Sequence, residues 1–171
     1  MEKVVTYLEL TRPGALVAAP VVAGVGLRRV DRESPLVRSV QAGVGEPYGW
    51  GAARRSAERW SAYLAEHPDE QYWLITVENE PAGVAYLEPQ PAGDVEVTAF
   101  GLLPAYVGKG FGAYALTLAL RQAWATEPVG AQEVRRVWLH TCSLDHPNAL
   151  GNYRKRGLRP YRVETKPVDQ S

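Results

Sequence analysis

Cysteine, methionine and phenylalanine are almost missing from this 171-residue chain, at one, one and two residues. The lone Cys142 excludes an internal disulfide framework and a thiolate metal site within one chain. Net charge is missing as well, since 19 basic residues balance 19 acidic ones. No basic stripe argues for nucleic acid. The apolar stretch 14–27 is too short to span a membrane and is broken by Pro20. It follows strand-like residues, Val4 to Leu10, so it reads as a connection packed against the domain rather than a signal-peptide core. These absences fit a cytoplasmic protein with neither a membrane nor a nucleic-acid partner. What is present is length enough for one domain, residues 1–171, with a substantial core.

Hydrophobic periods divide the chain into strands and helices. Strands are expected at Val4 to Leu10, Gly26 to Val30, Gln71 to Val77, Val84 to Glu88, Val95 to Leu102, Val134 to Thr141 and Arg159 to Thr165. Helices are expected at Pro35 to Ala42, Ala53 to Glu66, Phe111 to Ala125 and Asn148 to Arg156. Turns at Asn79 to Gly83 and Pro91 to Gly93 make the three middle strands an antiparallel meander. The Phe111 helix is apolar nearly all round in its first turns, which marks a helix buried against a sheet. It joins Val95–Leu102 to Val134–Thr141, so those two strands should run parallel.

Residues 94 to 112 carry the strongest functional signal. An alternating stretch, Val95 to Phe100, runs through Pro104 into glycines at alternate positions, Gly108, Gly110 and Gly112. A helix begins at Phe111. This order of strand, glycine turn and helix start offers free main-chain N–H groups to a phosphate at the positive end of a helix dipole. The plain alternative is a tight connection that needs positive φ. No Gly-Lys-Ser/Thr follows at the spacing of a nucleotide-triphosphatase loop. The dinucleotide fingerprint would need its third glycine where Ala113 stands, which excludes it only in part. Period two places Val95, Val97 and Ala99 on one face and Glu96, Thr98 and Phe100 on the other.

The stretch Val107-Gly108-Lys109-Gly110-Phe111-Gly112 resembles motif A of the Gcn5-related N-acetyltransferases, Gln/Arg-x-x-Gly-x-Gly/Ala. The stretch from Asp145 to Leu158, with Asn148, Ala149, Tyr153, Arg154 and Gly157, resembles their motif B. The two stand in the right order, about forty residues apart, and the resemblance covers roughly residues 70–165. Val107 replaces the usual Gln or Arg, Leu158 replaces Phe, and His146 aligns near the usual Asn. The resemblance implies an α/β fold (α+β, mixed sheet). Its central sheet is splayed between two parallel strands, with helices on both faces. Residues 70–165 would be the acetyl-CoA-binding core and residues 1–25 an N-terminal extension. The family closes with two strands after its last helix, whereas this chain has room for about one. Val4 to Leu10 is therefore expected to fill or extend the sheet elsewhere.

The same resemblance implies roles. The amides of Gly108, Lys109, Gly110, Gly112 and Ala113 would hold the pyrophosphate of acetyl-CoA, with no metal required. The amides of Phe100 and Leu102 would face the thioester and pantetheine arm. Glu96 would act as base or water-orienting group, or bind a cationic substrate. Tyr153 would protonate the leaving thiolate. His140 and His146 are further proton-handling candidates. Cys142 beside them reads as inert rather than as an acyl carrier. Tyr48, Trp50, Trp60, Tyr63, Glu88 and Asp94 lie where acceptor choice would be made. The expected activity is acetyl transfer from acetyl-CoA to a primary amine of a small molecule, peptide or protein, with a homodimer left open. Alternatives are a non-catalytic acyl-CoA sensor, a transferase of another acyl group, and a distant dinucleotide-binding oxidoreductase.

Overall fold

Residues 1–168 are described by the structure, a computed structural model. The strands are β1 (Glu2–Leu10), β2 (Val25–Val30), β3 (Gln71–Val77), β4 (Glu80–Gln90), β5 (Asp94–Leu102), β6 (Arg136–Cys142) and β7 (Arg159–Pro167). The helices are α1 (Pro35–Gly45), α2 (Ala57–Glu66), α3 (Gly112–Trp124) and α4 (Ala149–Lys155). One mixed sheet takes the order β2-β3-β4-β5-β6-β1-β7. Among the described residues only β5 and β6 pair in parallel, as the helical crossover between them requires. The expected mixed α/β fold is therefore present.

Each face of the sheet carries its own core. Tyr72, Leu74, Val84 and Tyr86 pack with Val37, Val40 and Val44 of α1 and Trp60 of α2. Their alternate neighbours Ile75 and Ala85 meet Ala115 and Ala119 of α3. Leu87, Val95 and Val97 join Leu116, Leu120 and Ala123 of α3, with Tyr153 of α4. Ala115, Ala119 and Ala123 recur every fourth residue and are fully buried. This stripe of small side chains lets α3 lie close on the sheet.

Three local features depart from the periodic expectation. The helix expected from Ala53 starts at Ala57: Gly51–Arg54 form a 3-10 turn, and Arg55 is extended (φ −64°, ψ 130°). Ser56 then accepts a hydrogen bond from the Arg59 amide (3.2 Å), which sets the true helix start. The β3–β4 hairpin turns earlier than expected, at Glu78 and Asn79, both of positive φ (49° and 66°). Pro81 therefore lies inside β4. Finally, Thr98 is unopposed in the β4–β5 ladder, because Tyr86 pairs with Ala99 and Leu87 with Val97. This bulge breaks the period of two. Val95 and Val97 face α3, yet Ala99 faces α1, and Phe100 returns to the α3 side. Phe100 thus does not share the face of Glu96.

The N-terminal strand does fill the sheet. β1 inserts between β6 and β7, antiparallel to both, with Val5 opposite Cys142 and Leu10 opposite Val137. The connection that follows is tied down by its main chain: Val17 N–H donates to Arg156 O (2.9 Å) and Ala19 N–H to Thr117 Oγ1 (3.0 Å). Val17 and Val21 nevertheless point to solvent. Gly157 closes α4 at φ +100°, and a Cβ there would lie 2.1 Å from Ala15 O. Gly157→Ala therefore combines a strained φ with a main-chain clash. It should lower stability by about 3 kcal/mol, measured by denaturant unfolding; a loss below about 1 kcal/mol would contradict this packing.

Candidate active site

The parallel pairing of β5 with β6 lasts three residues: Asp94 with Arg136, Val95 with Val137 and Glu96 with Trp138. Beyond that point the strands part. β5 stays with β4 to its end, where Leu103 N–H donates to Ala82 O (2.8 Å). Since amides alternate along a strand, those of Leu102 and Phe100 point the other way, toward the opening. Gln90 bridges the last closed pair, accepting from Trp138 Nε1 and donating to Glu96 Oε1, each at 3.0 Å.

The glycine turn faces this opening. Gly108 and Gly110 have φ of +77° and +85°, and a Cβ on either would meet no atom within 4 Å. Helices α1 and α2 are capped by Ser34 and Ser56, whereas α3 starts with no side-chain cap. Among the described residues, no acceptor is bonded to the amides from Gly108 through Tyr114; main-chain pairing resumes at Ala115, which donates to Phe111 O. The turn is therefore unsealed, and the start of α3 is an uncapped source of positive potential. Asn152 Nδ2 donates to Gly112 O (3.2 Å), fixing α4 against the turn.

A cavity of about 290 Å³ runs from these glycines to the strand opening. Phe100, Leu102, Gly108, Gly110, Gly112, Ala113 and Tyr153, all expected from sequence, line it. Lys109 contributes its amide to the run, but its side chain is exposed and lies outside the wall. A second cavity, about 400 Å³, opens on the far side of the strand gap. Tyr48, Trp50, Phe100, Asp145 and Tyr153 belong to both walls.

At this junction Tyr153 is buried, edge-on to Phe100 with ring centroids 6.3 Å apart. Burial, and then the charge of Asp145, push its phenol well above the ordinary range. Asp145 is a residue whose role the sequence did not reveal. Its Oδ1 accepts from Trp50 Nε1 (3.0 Å), and its Oδ2 accepts from Thr141 Oγ1 (2.5 Å) and Cys142 N–H (3.0 Å). It thereby pins the indole of Trp50 between the two cavities. In the sequence it marks only the start of the motif B stretch, within a turn-forming run, Ser143-Leu144-Asp145-His146-Pro147.

The histidines divide between the cavities. His146 lies on the first, edge-on to Tyr48, and its Nδ1 accepts from Asn148 N–H (3.0 Å). His140 lies on the second, with Cys142. Its outer edge is open to solvent, but the surrounding protein disfavours its charged form. Asp145 opposes that effect, while Lys166 and Lys3 add to it.

Glu96 is placed differently from the expectation that grouped it with Phe100. It lines neither cavity. It sits with His67, Glu70 and Glu88 behind Thr98, on the α2 side of the sheet. Thr98 lines the second cavity, and its Oγ1 donates to Glu70 Oε1 (2.7 Å). Glu70 also accepts from Tyr72 (3.2 Å), and His67 Nδ1 meets Glu88 Oε2 at 2.6 Å. Burial pushes the Glu96 carboxyl up to about 7; Gln90 opposes this, Glu88 and Glu70 add to it, and His67 opposes it. Burial likewise raises Glu70.

Comparison with known proteins gives the family and the fold. The model of the acetyltransferase (GNAT) family matches residues 38–158. No curated protein matches the chain. Among solved structures, it is similar to a GCN5-related N-acetyltransferase from Sphaerobacter thermophilus, at 16% identity and TM-score 0.69, over 96% of this chain and 51% of that one. It is also similar to a GCN5-related N-acetyltransferase from Kribbella flavida, at 22% identity and TM-score 0.57, over 94% and 55%. A tandem GNAT protein from the clavulanic acid biosynthesis pathway aligns at 19% identity and TM-score 0.57, over 98% and 55%. The chain thus spans about half the length of these structures. At such identities the likeness shows the fold alone.

The raised Glu96 has a direct consequence for stability. Its folded pKa of about 7 exceeds the value near 4.3 of a free glutamate. Folding therefore favours the protonated form, and stability associated with Glu96 is lost as pH rises through 7. Glu96→Gln should leave the unfolding free energy nearly unchanged at pH 4.5 and raise it at pH 8 by on the order of 2 kcal/mol, measured by denaturant unfolding. An equal effect at both pH values would contradict the burial of this carboxyl.

Proposed function

The chain belongs to the acetyltransferase (GNAT) family, and from that premise we propose that it transfers an acetyl group from acetyl-CoA directly to a primary amine. The observation that carries this reading is the run of unpartnered amides from Gly108 to Tyr114, opening on the gap between β5 and β6. Pyrophosphate needs several N–H donors and a positive potential, and an uncapped helix start supplies both without a metal. The fit rests on main-chain groups, so Val107 in place of Gln or Arg removes one side-chain contact and leaves the cradle intact. The outward amides of Phe100 and Leu102 would pair with the pantetheine arm and polarise the thioester carbonyl, a contribution of about 3 kcal/mol in comparable sites.

In the transfer, the amine nitrogen bonds to the carbonyl carbon, the carbon–sulfur bond breaks, and the amine proton leaves. Tyr153, at the junction of both cavities, returns a proton to the departing sulfur. Its raised pKa keeps it protonated until then. A thiolate emerging in the same buried setting is a stronger base than in water, so the donation is not opposed by burial alone. Glu96 receives the amine proton through solvent rather than by contact, since it lines neither cavity. Its pKa near 7 suits a base at neutral pH far better than an ordinary glutamate. The distance of Glu96 from the walls also favours a second reading, an acyl-CoA sensor. Coenzyme binding without thiol release over a broad amine panel would select it.

Gly110→Asp would put a carboxylate among the amides. It should weaken acetyl-CoA binding by about a hundredfold in calorimetric titration, equivalent to about 2.7 kcal/mol. Affinity within threefold of wild type would remove the glycine turn as the binding site. Tyr153→Phe should lower kcat by about a hundredfold and change acetyl-CoA affinity by less than about twofold. An unchanged kcat would eliminate the phenol as the acid.

A further inference from the structure

The second cavity has a one-sided charge. Lys3, Arg54, Arg55 and Lys166 line it, against the single carboxylate of Asp145. Both Asp145 oxygens are already engaged by Trp50, Thr141 and Cys142. Lys166 is paired with Glu164 (3.2 Å) and donates to Tyr7 Oη. Lys3, Arg54 and Arg55 have no ion-pair partner among the described residues.

Arg55 is the most constrained of these. Its guanidinium lies over Tyr63 and Trp60, 4.0 and 4.7 Å from the ring centroids. Its Nη1 is buried with no hydrogen-bond partner. A fixed, orphaned guanidinium donor costs free energy until an acceptor reaches it, and a carboxylate matches its fork. Gln41, on the same wall, is 93% buried by the 7% exposure left to it, and its Oε1 also lacks a partner. That oxygen can only accept. Thr98, on the same wall, donates to Glu70 Oε1 (2.7 Å), so the carboxyl of Glu70 lies behind the wall near the strand gap. The cavity thus has an acceptor for N–H groups and, separately, donors for an anion.

We propose that the acetyl acceptor is a small primary amine that carries a carboxylate, of amino-acid size. Arg55 would bind the carboxylate, with Arg54 and Lys3 at the mouth, and the amine would point to the Tyr153–Phe100 junction. The cavity, at about 400 Å³, lies in the size range of small-molecule sites. The proposal rests on the transferase reading above and adds the chemical class of its acceptor.

The test uses matched amines and two readouts. In the first, thiol release from acetyl-CoA is followed with free amino acids, their amides, their decarboxylated counterparts and a short acidic peptide. The free acids should exceed the amides and decarboxylated amines by at least about tenfold in kcat/KM. Arg55→Met should raise KM for the acids about tenfold while acetyl-CoA affinity reports an intact fold; Arg54→Ala and Lys3→Ala should each raise KM less. In the second, Trp fluorescence of the CoA complex is titrated with N-acetyl amino acids and their amides. This readout needs no turnover, so a non-catalytic protein still answers it. Saturable binding of the acids, weakened about tenfold by Arg55→Met, supports the carboxylate site; the same binding with no thiol released keeps that site and overturns the transferase reading instead. Equal or better use of decarboxylated amines, preference for the peptide, or no difference between acid and amide in either readout overturns it.

Discussion

The site exists because β5 and β6 are each held more firmly by another neighbour than by one another. β5 is paired with β4 from Asp94 to Leu102, and Leu103 extends the attachment. β6 is paired with β1 from Val137 to Cys142. The sheet's normal twist then separates two strands that share only three residue pairs. The bulge at Thr98 increases the bend just past the last shared pair. Gln90 closes the lower end by reaching both Glu96 and Trp138. Amides stranded on a parted edge cost free energy unless something bonds to them. A ligand with an extended polar arm satisfies them without displacing any native contact.

Much of this was legible from particular residues. Glycine at alternate positions after a strand and before an apolar helix already pointed to an open turn, and Gly108 and Gly110 do adopt positive φ. Tyr153 followed from its place in the second motif, and it does stand at the meeting of the two cavities. The position of Glu96 relative to Phe100 was not legible. A bulge depends on which residue of the partner strand is left unopposed, and no local pattern in Val95-Glu96-Val97-Thr98-Ala99-Phe100 signals it. The start of α2 was missed for a simpler reason. Ala53, Ala57, Trp60 and Leu64 recur at helical spacing, but Ser56 is the better cap and wins. Asp145 and Arg55 could not be singled out, because their importance lies in partners about 95 residues away for one and in a missing partner for the other.

The balance of 19 acidic and 19 basic residues conceals a strong local asymmetry. Glu70, Glu88 and Glu96 gather on the face opposite α3, where burial, and after it mutual repulsion, raises the proton affinity of Glu70 and Glu96. The unpaired cations gather in the second cavity. An overall charge of zero is compatible with a steep local potential. The field favours protons at the first group and anions at the second. This arrangement suits a reaction in which an ammonium group must lose a proton before it can attack.

The first ten residues are part of this arrangement and not an appendage to it. Lys3, Val5 and Tyr7 line the second cavity from β1, and Lys166 joins them from β7. Tyr7 hydrogen-bonds Glu164 (3.1 Å) and accepts from Lys166 (3.2 Å), so the outer wall is stitched across a separation of about 157 residues. With β1 between β6 and β7, the strand gap has a firm far side only after the chain's beginning and end have met. Such pairing is slow to form, because the closure entropy of a long loop is lost before the contacts repay it. The wall nearest the chemistry is therefore among the last parts of the sheet that folding can complete. The glycine turn and α3 need only local contacts. In the proposed function, binding of the coenzyme and selection of the acceptor would depend on separable parts of the fold, one local in sequence and one that joins its first and last strands.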